Sequence, residues 1–170
     1  MTPQKSVPLL QTPGVLGEIS NWATNPIVME RNITSATAGN IFGRVFTSTD
    51  GIDMTVGGTG KEVGILASPQ SFPGGALTSN TSYTAPQYSD ATFVKFTSGM
   101  WVEVDTPVYG GGVQFNNDGT GADLGTLKAW VVGAAAATHY TILTNARITN
   151  IGSTITGNVK LCEISILGAQ

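Results

Sequence analysis

The chain is short of charge. Only 11% of its 170 residues are Asp, Glu, Lys or Arg, against about 25% in an average domain. Eight basic residues and a net charge of −3 cannot make the broad cationic face a general nucleic-acid binder needs. A single cysteine, Cys162, excludes an internal disulfide framework and a cysteine-based zinc site. A single histidine, His139, leaves any nucleophilic triad dependent on one imidazole. No apolar run approaches the ~20 residues that cross a bilayer; the longest, AWVVGAAAA at 129–137, is half that. The opening MTPQKSVPLLQTPG has one Lys and early prolines around a very short apolar stretch. It does not read as a secretory signal, which predicts synthesis in a cytoplasm. Nor does any 12-residue window carry a 3.6-residue apolar repeat, so long helices are not expected.

Small polar residues and regular punctuation fill the chain instead. Gly accounts for 22 positions and Thr for 23. Turn signals recur at Asp50-Gly51, Gly57-Gly58, Pro73-Gly74-Gly75, Ser98-Gly99, Gly110-Gly111-Gly112, Asn117-Asp118-Gly119, Gly152 and Gly157-Asn158. Between them lie short runs rich in β-branched and aromatic residues. They predict strands near 27–31, 41–47, 62–68, 91–96, 100–106, 112–116, 126–132, 139–144, 146–151, 153–156 and 158–167. The clearest expected hairpin joins 92–96 to 100–105 through Ser98-Gly99. In the second of those runs Val102 and Val104 face one way, and Trp101, Glu103 and Asp105 the other. Apolar parity shifts near Leu161-Cys162, which predicts a β-bulge there. Many short strands at this spacing predict an all-β, antiparallel sandwich. Residues 71–90 read as a long loop or a crossover between sheets.

The first 25 residues differ from the rest. Pro3, Pro8, Pro13 and Pro26 bias the chain to an extended form. Yet Val7, Leu9, Leu10, Val15, Leu16, Ile19 and Trp22 are apolar. An extended segment so decorated needs a surface to lie on, its own domain or a neighbouring subunit. The expected organisation is an extended arm over 1–25 and a β-sandwich domain over 26–170. The seven apolar residues are the candidate partner contacts.

Chemistry-bearing motifs are scarce. No Gly-x-Ser-x-Gly occurs. His139 stands at an expected strand start, and Cys162 in an apolar strand, where a thiol is normally inert. Glu103 and Asp105 share a strand face about 7 Å apart, within the glycosidase range, but beside Trp101 on a Thr-rich sheet they read as a solvated face. Gly57-Gly58-Thr59-Gly60-Lys61 lacks the Walker spacing and its Ser or Thr after the lysine. Asn116-Asn117-Asp118-Gly119-Thr120-Gly121-Ala122-Asp123 has calcium-like oxygens, but Gly125 stands where an EF-hand needs Glu. No catalytic, cofactor or metal residue is therefore assigned. A β protein with few charges and an apolar arm suits binding, because flat Thr/Ser/Gly surfaces desolvate at little cost.

Several stretches carry a family resemblance. They are Pro13-Gly14-Val15-Leu16-Gly17-Glu18 through Asn25-Pro26, then Ala38-Gly39-Asn40-Ile41-Phe42-Gly43-Arg44-Val45-Phe46, then Glu62-Val63-Gly64-Ile65-Leu66-Ala67. With the run from Thr97 to Asp105 and Gly110-Gly111-Gly112-Val113, the chain resembles the head decoration, or structural cement, proteins of tailed bacteriophages. The resemblance implies an all-β, often jelly-roll-like body. It implies a homodimer or homotrimer on the outer capsid surface of the virion, locking adjacent major capsid protein subunits. Under it the chain has no enzymatic activity, cofactor, small-molecule substrate, nucleic-acid partner or membrane partner. The alternatives are a phage tail or receptor-binding β module, and a carbohydrate-binding module with Trp101, Tyr109 or Trp130 as its sugar platform.

Overall fold

A computed structural model of the protein describes residues 16–20, 26–68, 84–119 and 123–167. Among these, nine strands and one 3-10 turn, Thr37–Gly39, follow in the order β1 Ile27–Ile33, β2 Val45–Ser48, β3 Asp53–Val56, β4 Glu62–Leu66, β5 Asp90–Asp105, β6 Gly112–Asn116, β7 Leu127–Trp130, β8 Tyr140–Thr156 and β9 Val159–Ile166. The all-β, mostly antiparallel expectation holds. All nine strands join one sheet in the order β1-β3-β2-β4-β5-β7-β6-β8-β9. Two more pairings, β1–β5 and β5–β9, close it on itself twice.

The result is two five-stranded rings that share β5. One half of the 16-residue β5 pairs with β1 and β4; the other half pairs with β7 and β9. The double closure is compatible with a jelly-roll-like body and leaves few open strand edges. Each ring encloses its own core. Ile33, Phe46, Met54, Leu66 and Phe93 fill the first, with the Phe46 and Phe93 rings tilted at 5.2 Å between centroids. Val102, Val104, Phe115, Leu143, Ile148, Cys162 and Ile164 fill the second. Strand alternation explains how the cores touch. Val45, Ile65 and Val94 belong to the second core, while their neighbours Phe46, Leu66 and Phe93 belong to the first. β2, β4 and β5 are thus a wall buried on both faces, which is why each carries apolar residues at adjacent positions: Val45-Phe46, Ile65-Leu66 and Phe93-Val94.

Three local expectations are corrected. Ser98-Gly99 makes no hairpin, because β5 runs straight through it with a register shift between Thr97 and Met100. The Thr97 hydroxyl donates to the Gly99 carbonyl (3.0 Å) and accepts from the Gly99 amide (3.2 Å), which stabilises a kink where a turn was expected. A Cβ on Gly99 would collide with Ser20 and Glu163, so this glycine marks a close approach. Likewise the three strands expected over 139–156 are one, β8, bent by register shifts. Asn145, at φ +58°, sits in one of them and bends the strand without ending it. Finally, β9 pairs with β5 without interruption from Val159 to Ile164; the irregularities against it lie in β8. The parity change at Leu161-Cys162 arises because both faces are covered: Cys162 packs in the second core and Leu161 in a separate cluster outside it. β3 was not anticipated, since four residues between two glycine turns are too few for a visible alternation. The expected 71–90 loop lies outside the described residues up to 83.

Candidate functional site

Residues 16–20 form a strap along β5, with Ile19 in the second core and Leu16 in the cluster outside it. This strap runs antiparallel to the kink in β5, with Ile19 opposite Met100. The Gly17 amide donates to the Trp101 carbonyl (2.7 Å), the Trp101 amide to the Glu18 carbonyl (2.9 Å) and the Ser20 amide to the Gly99 carbonyl (3.0 Å). A fourth bond, from the Ser68 amide to the Gly17 carbonyl (2.8 Å), ties the strap to the chain beyond β4. Each such bond contributes about 1 kcal/mol net. The Ser20 hydroxyl also donates to Glu163. Beneath the strap, Leu16, Trp101 and Leu161 form a buried cluster, with Ile41 against it. Gly17 has φ +78°, and a Cβ there would lie 2.8 Å from the Phe42 Cβ; only glycine lets the strap turn so close to the body.

Beside the strap opens a cleft of about 260 Å³, lined by Leu16, Ile41, Arg44, Glu103, Asp105 and Asp123 among others. Glu103 is half-buried, and its Oε1 has no hydrogen-bond partner. Burial raises its pKa above the ordinary value, and the charge of Arg44 opposes that rise. Burial in turn lowers the Arg44 pKa, against the pull of Glu103 and Asp123. The Arg44 Nη1 donates to the Leu124 carbonyl at 3.3 Å. Asp105 instead meets Lys128 at 3.6 Å. The solvated face expected for Glu103 and Asp105 is therefore corrected for Glu103. Leu16 and Ile41, which line the cleft with it, take water away from that side of β5. The cleft brings together a desolvated carboxyl and a guanidinium, with neither His139 nor Cys162 among its lining.

The remaining motifs serve the fold. His139 Nδ1 lies 2.6 Å from the Asp118 carboxylate on an exposed surface. The Asn117 amide donates to the His139 carbonyl at 2.9 Å, so the pair clasps two loops. Cys162 is fully buried, and desolvation pushes its thiol up to about 11. In the glycine run the Gly57 amide donates to the Val45 carbonyl (2.9 Å), the Gly58 amide to the Asn117 carbonyl (2.7 Å) and the Gly60 amide to the Thr47 hydroxyl (3.2 Å). Those donors are spent within the chain and do not face a phosphate. In the Asn-rich loop, the Asn116 side chain accepts from the Gly119 amide at 2.7 Å, a side-chain-closed turn. Among the described residues, no three His, Cys, Asp or Glu side chains are grouped to hold a metal ion.

A model of the family described as structural cement protein (E217 gp24/Pam3 gp6) matches residues 3–167. The chain belongs to the phage structural cement family. A chain of the solved structure titled "The capsid of Myoviridae Phage XM1" covers 100% of the cement protein and is itself covered over 100%, with a TM-score of 0.63 and 16% identity. That likeness concerns the fold. A search of the curated proteins found no match.

The family is one of structural proteins, so the surface of the cement protein carries the functional interest. Of the seven arm residues, Leu16 and Ile19 are buried against the protein's own strands. Val7, Leu9, Leu10, Val15 and Trp22 lie outside the described residues. As a sugar platform Trp101 is unsuitable, being 7% exposed beneath the strap. The Trp130 ring packs against Gly112, and its Nε1 donates to the Ala134 carbonyl at 3.0 Å. Missed in the sequence were Val131 and Val132. Expected at the end of a strand, they stand past the end of β7 on an exposed turn. The Val-Val-Gly run was the available signal, because glycine after two exposed β-branched residues favours a turn.

Proposed function

We propose that the cement protein binds the outside of the phage capsid and locks adjacent major capsid protein subunits together, as a homodimer or homotrimer. The observation that carries this reading is the family match, which takes in residues 3–15 ahead of the strap as well as the whole body. The solved relative from a phage capsid structure supports it. In this reading residues 1–25 form the arm, rooted by the buried Leu16 and Ile19, and Val7, Leu9, Leu10, Val15 and Trp22 contact the capsid. A standard interface buries about 800 Å² per partner, roughly 20 kcal/mol gross before the costs of association. An oligomer attached at several points gains further through effective concentration. Binding only to the mature shell would stabilise that shell by mass action.

The test adds purified protein to cement-free capsids of the parent phage and measures occupancy by co-sedimentation. Deleting residues 2–15 leaves the strap in place. It is expected to weaken attachment about tenfold or more, some 1.4 kcal/mol, with little change in Tm. Full occupancy by the truncated protein would remove the arm from the interface. Failure of the intact protein to bind capsids at all would remove the function.

A further inference from the structure

We propose that two turns, at residues 108–111 and 131–134, form one uncharged apolar tip that seats on an apolar patch of a capsid subunit. The inference rests on the capsid-binding function above and names the surface that performs part of it.

The turns are neighbours by strand register. β6 begins where β7 ends, with Gly112 paired to Trp130, so the turn before β6 and the turn after β7 leave the ring side by side. Their construction matches. The Gly111 amide donates to the Val108 carbonyl (2.9 Å) and the Ala134 amide to the Val131 carbonyl (3.0 Å). The third residue of each is a glycine with positive φ, Gly110 at 73° and Gly133 at 91°, as a type II turn requires. No atom lies within 4 Å of where a Cβ would stand on either glycine, so both turns project clear of the body.

Both turns are braced from behind. The Gly110 amide donates to the Ile148 carbonyl (2.9 Å), and the Ile148 amide to the Gly111 carbonyl (3.0 Å). Trp130, packed against Gly112, holds the Ala134 carbonyl through its indole N–H. Apolar side chains on braced turns lose little entropy on docking.

What the turns present is unusual for an exposed surface. Val108, Tyr109, Val131 and Val132 are 62%, 74%, 77% and 53% exposed. Together they offer roughly 400 Å² of apolar area, the scale at which a patch on a monomer is often functional. No charged residue occurs in 106–117 or 129–138; the charge nearest in register, Arg147 opposite Gly112, turns its guanidinium back onto the Ala146 carbonyl at 2.7 Å. The area also selects the occupant. Two copies meeting tip to tip would bury roughly 800 Å² in total, below the ~1,200 Å² of a stable specific interface. One contact among several on a large shell needs no more than this, because the others supply effective concentration. A charged partner surface would be desolvated here without compensation, so the partner patch is apolar and uncharged.

The test compares wild type, the double variant Tyr109→Ser/Val131→Ser and the conservative Tyr109→Phe on cement-free capsids of the parent phage, at 50 and 500 mM NaCl. The double variant is expected to bind about tenfold more weakly or worse, by the same factor at both salt concentrations, and Tyr109→Phe to bind as wild type. Wild-type binding by the double variant overturns the tip. So does a loss that disappears at high salt, which marks an ionic contact. If light scattering shows that the double variant changes oligomeric state while capsid occupancy stays full, a second copy covers the tip and the proposal fails. Should the double variant lose its fold by circular dichroism, hydroxyl-radical footprinting of wild-type Tyr109 decides. Protection by capsids supports the proposal, and unchanged reactivity ends it. If the wild type itself binds no capsids, the failure lies with the function.

Discussion

Glu103 shows how a single side chain departs from what its strand suggests. Alternation puts it on the outward face of β5, where a carboxylate is normally hydrated. Glu103 instead lines the cleft beside Leu16 and Ile41 and is half-buried, so its pKa is raised, with Arg44 opposing. A carboxyl whose folded pKa exceeds its unfolded value binds its proton more readily in the native state. Its favourable contribution is complete below the unfolded pKa and is lost as pH rises through the folded one. Glu103→Gln is therefore expected to flatten the fall in Tm as pH rises past 4.5, the ordinary glutamate value. Thermal melts of both proteins across that range check it; parallel curves would mean that Glu103 is hydrated after all. Asn40 is the polar counterpart within the body. It is fully buried, and its side chain bonds the carbonyls of Ser35 (2.9 Å) and Ala85 (3.1 Å) and the Ser35 hydroxyl (2.6 Å). Residue type alone could not predict either placement, since Glu and Asn are usually exposed.

At the scale of elements, the strap and the kink of β5 form one construction. Gly17 turns the strap against Phe42 and Ser68, and Gly99 lets Ser20 and Glu163 approach β5. The left-handed conformation of Gly17 costs any other residue about 1–2 kcal/mol, and the added Cβ would also crowd the Ser68 amide at 2.9 Å. Gly17→Ala is expected to destabilise the protein by about 2 kcal/mol, a fall in Tm of roughly 4–8 °C for a chain of this size. It should also increase acrylamide quenching of tryptophan, because Trp101 would lose its cover. An unchanged Tm with unchanged quenching would show that the strap holds without this turn. The glycines were legible in the sequence as punctuation. Whether each marks a turn or a close approach was not, because that depends on what comes near it. Gly110 proved a turn and Gly99 an approach.

Across the whole molecule, β5 is the element both rings share, and the second core takes Val45, Ile65 and Val94 from the wall of the first. Neither ring can open without exposing apolar surface of the other. Heating is therefore expected to give one cooperative transition whose calorimetric and van't Hoff enthalpies agree, with both cores lost together. Two resolved transitions in differential scanning calorimetry would show that the rings unfold separately.

The all-β class, most strand positions and the scarcity of catalytic groups were determined by the sequence alone. They follow from local preferences: β-branched runs, glycine and proline punctuation, a single histidine, a single cysteine and few charges. Only the tertiary structure decided that two expected strands around Ser98-Gly99 are one, that Leu16 packs with Trp101, that Glu103 is desolvated, and that two turns whose third residues, Gly110 and Gly133, are 23 positions apart meet at one end of the β6–β7 pair. Each of these depends on which distant segments meet. Register and ring closure settle that through contacts far apart along the chain, which no local pattern encodes.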